Sequence, residues 1–203
     1  MPKPLFTSGE IARAIGDGRK ELKRFYEGRV RTLIENGLLV PEDKTDGGHL
    51  RFTSDQVALA AIYSAMLDLG LTHGSPGKSF GCDASPFMAA QFALIVHQNG
   101  KRSNIDFSKA GPEEVLAYAA ANPNALGRAI RGVTQGEWWA LRIDLSRDDQ
   151  TGEKRFLAVA YNMDDPPKDY LIPTRPSEMP AGSILLTLNP ILLPLVADRS
   201  GAN

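Results

Sequence analysis

Cysteine is almost missing from this chain. A single thiol, Cys82, in 203 residues excludes an intramolecular disulfide and any multi-thiolate zinc or iron–sulfur site built by one chain. An excess of charge of one sign is missing too. Lys and Arg number 23 against 24 Asp and Glu, a net charge of −1, so the chain as a whole does not attract nucleic acid or anionic lipid. Any such binding must come from local charge placement. Long apolar runs are also lacking. The most apolar stretch, Ser183 to Val196, is interrupted by Thr187, Asn189, Pro190 and Pro194 and is too short to span a bilayer. The opening Met-Pro-Lys-Pro-Leu-Phe-Thr carries no secretion-type apolar run, and the expectation is a cytoplasmic protein without a membrane partner. What remains is ordinary globular material, 42% apolar and 23% charged, enough for one large domain or two small ones.

Composition marks the division. Residues 71–86, LTHGSPGKSFGCDASP, hold eight Gly, Ser or Pro in sixteen positions, the signature of a linker or long loop. The expected organisation is a DNA-binding domain at 1–71, a linker at 72–86, and an α+β domain at 87–203 for oligomerisation or effector binding. A second break, Asp164 to Gly182, contains five of the fourteen prolines and reads as an extended connection.

The first seventy residues carry clear helix signals. Thr7-Ser-Gly-Glu10 is a capping box with Phe6 and Ile11 at the staple positions; Ile11, Ala14 and Ile15 follow at helical spacing, and Gly16 can stop the helix. Thr53-Ser-Asp-Gln56 repeats this grammar and opens a helix reaching Leu69, with Gly70 as its stop. Between them, Leu22, Phe25, Tyr26, Val30, Leu33 and Ile34 share one side of a helical wheel while Lys20, Arg24 and Arg31 lie opposite. Gly28 is a candidate break in that helix and Gly37 its end. Leu38 and Val40 then alternate, Pro41 to Gly48 is polar, and Leu50 and Phe52 alternate back, as in a β-hairpin.

Helix, helix, hairpin, helix is the order of a winged helix-turn-helix, in which a helix enters the major groove and the hairpin rests on the backbone. Residues 19–31, RKELKRFYEGRVR, hold six Arg or Lys against two Glu, although residues 1–71 balance at ten of each sign. Such a local stripe is a phosphate-binding footprint. His49 and Arg51 on the returning strand suit phosphate or minor-groove contacts, and Gly47 and Gly48 let the wing tip approach closely.

Gly9-Glu-Ile-Ala-Arg-Ala-Ile-Gly16, Arg31 six residues before Gly37-Leu-Leu39, Gly48-His-Leu-Arg51-Phe-Thr-Ser-Asp55, and an apolar helix ending Leu-Gly-Leu71 together resemble the DNA-binding domain of MerR-type regulators. The resemblance covers residues 5–71, a third of the chain. It implies a helix-turn-helix and wing that bind operator DNA as a dimer, with Arg31 and Arg51 contacting the DNA. The chain departs from the pattern in a longer span between Gly16 and Gly37. Thr32 and Leu33 stand where an aromatic pair follows the recognition-helix Arg.

Catalytic signals are weak. Gly74-Ser-Pro-Gly-Lys78-Ser79 ends like a phosphate-binding P-loop, but Thr72 stands at the position of the required first glycine. Pro76 also lacks an N–H to donate, and a helix precedes the segment rather than a strand. No nucleophile elbow or paired-carboxylate pattern appears. His49 and His73 read as exposed loop residues, His97 as a surface or cap residue and Cys82 as a spectator. No metal or cofactor is expected.

The rest of the chain predicts a small α+β unit. Pro86 to Gln98 reads as a largely buried helix, Pro112-Glu-Glu as the start of another, and Ala125 to Ile130 as a third. Trp139, Leu141, Ile143 and Leu145 alternate, as do Leu157, Val159 and Tyr161 after Asp148–Gly152, giving a hairpin. Ser183 to Leu188 reads as a buried strand. Trp138 and Trp139 point to opposite sheet faces, which leaves room for one to be exposed, with a packing role for both as the default.

The fold expectation is therefore α+β, a winged helix-turn-helix domain followed by a small α+β domain with at least three strands. The functional expectation is a non-enzymatic, sequence-specific protein that binds double-stranded DNA, a prokaryotic transcriptional regulator. Lys20, Arg24, Arg29, Arg31 and Thr32 would contact groove and phosphates; Lys44, His49 and Arg51 would serve the wing. The apolar helix from Ser54 to Leu69 leaves Leu59, Tyr63, Met66 and Leu67 in need of cover, which points to a homodimer or to the C-terminal domain. A small-molecule or protein effector would act at that domain. Two alternatives stay open: a phage-type DNA-handling adaptor for packaging or recombination, and an enzyme with its site in the C-terminal part.

Overall fold

The computed structural model describes residues 5–16, 18–45, 47–73, 85–96, 124–166 and 178–197. Among them are six α-helices and two three-stranded antiparallel sheets, a mixed α+β architecture. The chain divides into two compact units, one of Met1–Leu71 with Pro190–Asn203 and the other of Thr72–Asn189. The expected P-loop-like segment, Cys82, His97 and the helix at Pro112 lie outside the described residues.

In the first unit the Thr7 box forms. Thr7 Oγ1 accepts the Glu10 N–H at 3.2 Å, and the Thr7 N–H donates back to Glu10 Oε2 at 2.7 Å. A cap of this kind contributes about 1 kcal/mol. It starts α1 (Ser8–Ile15) directly after strand β1 (Phe6–Thr7). Ile11 and Ala12 face the core, whereas Ala14, expected there, is exposed. A 3₁₀ turn (Lys20–Leu22) leads into α2 (Lys23–Glu35). Gly28 does not break α2. Tyr26, Val30 and Leu33 are its buried stripe, and Phe25, expected among them, is 52% exposed. Gly37 follows at φ 69°, a left-handed stop that suits glycine.

The hairpin is shorter than the alternation suggested. Leu38 and Leu39 are both buried in a bend, and strand structure is confined to β2 (Asp43–Lys44) and β3 (Leu50–Phe52). Strand β1 adds to the other side of β3, in the order β1-β3-β2. Helix α3 (Ser54–Asp68) begins where expected, but Thr53 makes no side-chain cap. Gln56 instead accepts the Val40 N–H at 3.0 Å, fastening the chain that enters the hairpin. Of the four α3 residues in need of cover, Leu59, Tyr63 and Met66 are buried within the chain and Leu67 is half-buried.

In the second unit, Ser85 caps α4 (Pro86–Gln91), which continues into a π-helical turn (Phe92–Val96). Asn124 caps α5 (Ala125–Thr134) by accepting the Gly127 N–H at 2.7 Å. Strands β4 (Trp139–Asp148), β5 (Lys154–Asn162) and β6 (Glu178–Thr187) form a sheet in the order β5-β4-β6. Helices α4 and α5 pack on it. Leu141 and Ile143 are buried on one face of β4, and Ala140 and Asp144 on the other. Strand β6 is an edge rather than a buried core strand, and its Leu185 is 53% exposed. Trp139 packs inside and Trp138 is 55% exposed, so the opposite faces leave one of the pair uncovered and the default of packing for both does not hold. Asn189, the last residue of this unit and the first of helix α6 (Asn189–Ala197), accepts the Trp139 N–H with its side chain and donates to the Glu137 carbonyl.

Candidate nucleic-acid interface

Strand pairing fixes the key arginine. Arg51 sits mid-strand in β3, opposite Thr7 on one side and Asp43 on the other. Thr7 is the cap of α1, so this register sets Arg51 beside the start of that helix. The Glu10 carboxyl there is held below the usual carboxylate range, first by the Thr7 backbone and hydroxyl and further by the charges of Arg51 and Arg13.

These groups belong to a cleft of about 820 Å³ lined by α1, the 3₁₀ turn, the start of α2 and β3. Five basic side chains border it: Arg13, Arg19, Lys20, Lys23 and Arg51. Two acids, Glu10 and Glu27, share the wall. Glu10 is committed to its cap, and Glu27 lies 3.8 Å from Lys23 in an exposed pair worth little. Arg19 is anchored by a close approach of the turn to α2. Arg19 donates to the Tyr26 hydroxyl at 3.1 Å and to the Gly16 carbonyl at 3.3 Å. A Cβ at Gly16 would stand 2.7 Å from the Tyr26 ring, so glycine there lets the turn pack on α2.

Of the eight expected DNA-contacting residues, the cleft brings together Lys20 and Arg51. Arg24 and Arg31 are exposed on α2, on the side away from Tyr26, Val30 and Leu33, but do not line the cleft. Thr32 is half-buried and donates its hydroxyl to the Gly28 carbonyl at 3.1 Å. Lys44 and His49 are exposed on the hairpin, with Gly48 between them at φ 80°. Arg29 is turned inward. It donates to the Ser64 carbonyl and hydroxyl at 3.2 and 2.7 Å, pairs with Asp68 at 2.6 Å, and lies 4.4 Å over the Phe25 ring. Its side chain is 14% exposed, and its donors are spent joining α2 to α3.

Sequence reasoning named Arg19 and Lys23 only as members of the basic stripe and missed Arg13. The signal for Arg13 was its place three residues beyond Glu10, on the side of α1 away from Ile11. His73, expected as an exposed loop residue, is half-buried with its ring 4.6 Å from that of Phe87, and burial pushes its imidazole below the ordinary value. In the second unit, buried Asp144 accepts from Arg142 Nε at 2.8 Å and from the Ser183 hydroxyl. Among the described residues no cluster of three or more His, Cys, Asp or Glu could hold a metal ion, and no helix is long and apolar enough to cross a membrane. No family model, curated protein or solved structure matches this chain.

Proposed function

We propose that residues 5–71 are a winged helix-turn-helix that binds double-stranded DNA, and that the protein is a sequence-specific transcriptional regulator of a prokaryotic cytoplasm. The observation that carries this reading is the convergence of Arg13, Arg19, Lys20, Lys23 and Arg51 on one cleft, in a chain whose net charge is −1. Positive charge has been concentrated where two helices and the wing meet. The 3₁₀ turn and the start of α2, with Lys20, Lys23 and Arg24, enter the major groove. Arg13 and Arg19 contact the flanking phosphates, and Arg51, Lys44 and His49 hold the adjacent backbone. Arg31 lies further along the same exposed side of α2. Two copies on two half-sites supply the specificity that one small module lacks, and an effector acts through the second unit.

The test is selection of bound fragments from sheared genomic DNA by the full-length protein near physiological salt. The expected result is enrichment of one motif with two related half-sites, occupied by two chains per fragment. Recovery of no motif above background would contradict sequence-specific regulation.

A further inference from the structure

In the second unit, α5 carries two arginines and no acid in its sequence, ALGRAIRGVT. Arg128 and Arg131 are three residues apart and so lie on neighbouring turns of one face. Neither has a carboxylate partner among the described residues. Arg128 is the unusual one. Its Nε and Nη2 are both shielded from solvent, and neither has a hydrogen-bond acceptor. Burial, with a smaller contribution from Arg131, pulls the guanidinium below its ordinary value. A buried unmet donor costs about 1–3 kcal/mol, and more when the group is charged. The two unmet N–H groups lie side by side along one edge of the guanidinium plane. That edge is the fork that matches two oxygens of a carboxylate or phosphate.

We propose that Arg128, assisted by Arg131, anchors an anion site in the second unit for a ligand carrying a carboxylate or phosphate group. The fork binds two oxygens of the ligand while Arg131 adds a second positive charge at the exposed side. Shielding from water strengthens the bond, and a ligand reaches the fork only when the cover over Nε and Nη2 opens. The site is independent of the DNA reading. It lies on different residues, and DNA affinity without added anion does not depend on Arg128.

The test is thermal unfolding of the full-length protein in inorganic phosphate, in acetate, and in sodium chloride of equal ionic strength. Phosphate or acetate at about ten times its dissociation constant should raise the wild-type Tm by about 3–6 °C over chloride. A rise with phosphate alone identifies a phosphorylated ligand, and a rise with acetate identifies a carboxylate. Arg128→Met should unfold at a higher temperature than wild type in chloride, because it removes a half-buried guanidinium with two unmet, shielded donors. It should also weaken the anion at least about tenfold. Arg128→Lys keeps the charge without the fork and should show the same weakening, which preserves the test if the methionine variant does not fold. An equal anion response in wild type and both variants, or no response in wild type, would overturn the proposal. In Lys20→Ala and Arg51→Ala the Arg128-dependent part of the response should persist, so failure of this site and failure of the DNA interface are separable.

Discussion

Arg29 and Arg24 sit on the same helix and belong to the same basic stripe, yet their surroundings give them different work. Arg24 points to solvent, whereas Arg29 donates to Ser64 and Asp68 and stacks on Phe25. Hydrogen bonds to charged groups contribute about 1.5–3 kcal/mol when half-buried, so Arg29→Ala should destabilise the protein by about 1–3 kcal/mol. The variant that remains folded should bind DNA as wild type does. Arg24→Ala should change stability by less than about 0.5 kcal/mol and weaken DNA binding. Urea unfolding and DNA titration of both variants check this, and a reversed pattern would return Arg29 to the interface. Sequence periodicity could not separate the two arginines. A charged residue beside the apolar stripe reads as solvent-facing unless its acceptor is known, and Ser64 and Asp68 lie 35 and 39 residues away.

At the scale of elements, local grammar was legible and long-range covering was not. The Thr7–Glu10 box, the stop at Gly37 and the β4–β5 hairpin follow from neighbours a few residues apart, and all three form. The Thr53–Gln56 box has the same letters, but Gln56 is taken by Val40, sixteen residues away. β6 reads as buried from its apolar run, yet its burial depends on being an edge strand, which only strand order reveals. Arg13 was missed because the convergence on Arg51 is set by the β1–β3 register. The α5–β4 contact is another such case. Gly132 is buried against the Trp139 indole and the Glu137 carboxylate, which are hydrogen-bonded to each other at 2.9 Å, and a Cβ there would overlap both. Gly132→Ala, favourable for an isolated helix by about 0.5–1 kcal/mol, should instead destabilise by about 1–3 kcal/mol through overpacking. A shift in tryptophan fluorescence should accompany the loss. An alanine variant as stable as wild type, with unchanged fluorescence, would show that α5 does not approach Trp139 this closely.

For the whole molecule, the decisive quantity is charge placement rather than charge total. Leu59, Tyr63 and Met66 are already buried within one chain and Leu67 is half-buried, so the proposed pairing on DNA is argued from two half-sites rather than from a bare α3 face. The central claim is that the basic cleft is the DNA-binding surface. The most direct measurement is the salt dependence of affinity for the selected DNA fragment, compared between wild type and folded Lys20→Ala and Arg51→Ala variants. Each lost phosphate contact should lower the slope of log K against log salt by about 0.9, doubled if two copies bind. Affinity at fixed salt should fall with it, while Tm changes little. Unchanged affinity and unchanged slope in both folded variants would contradict the account.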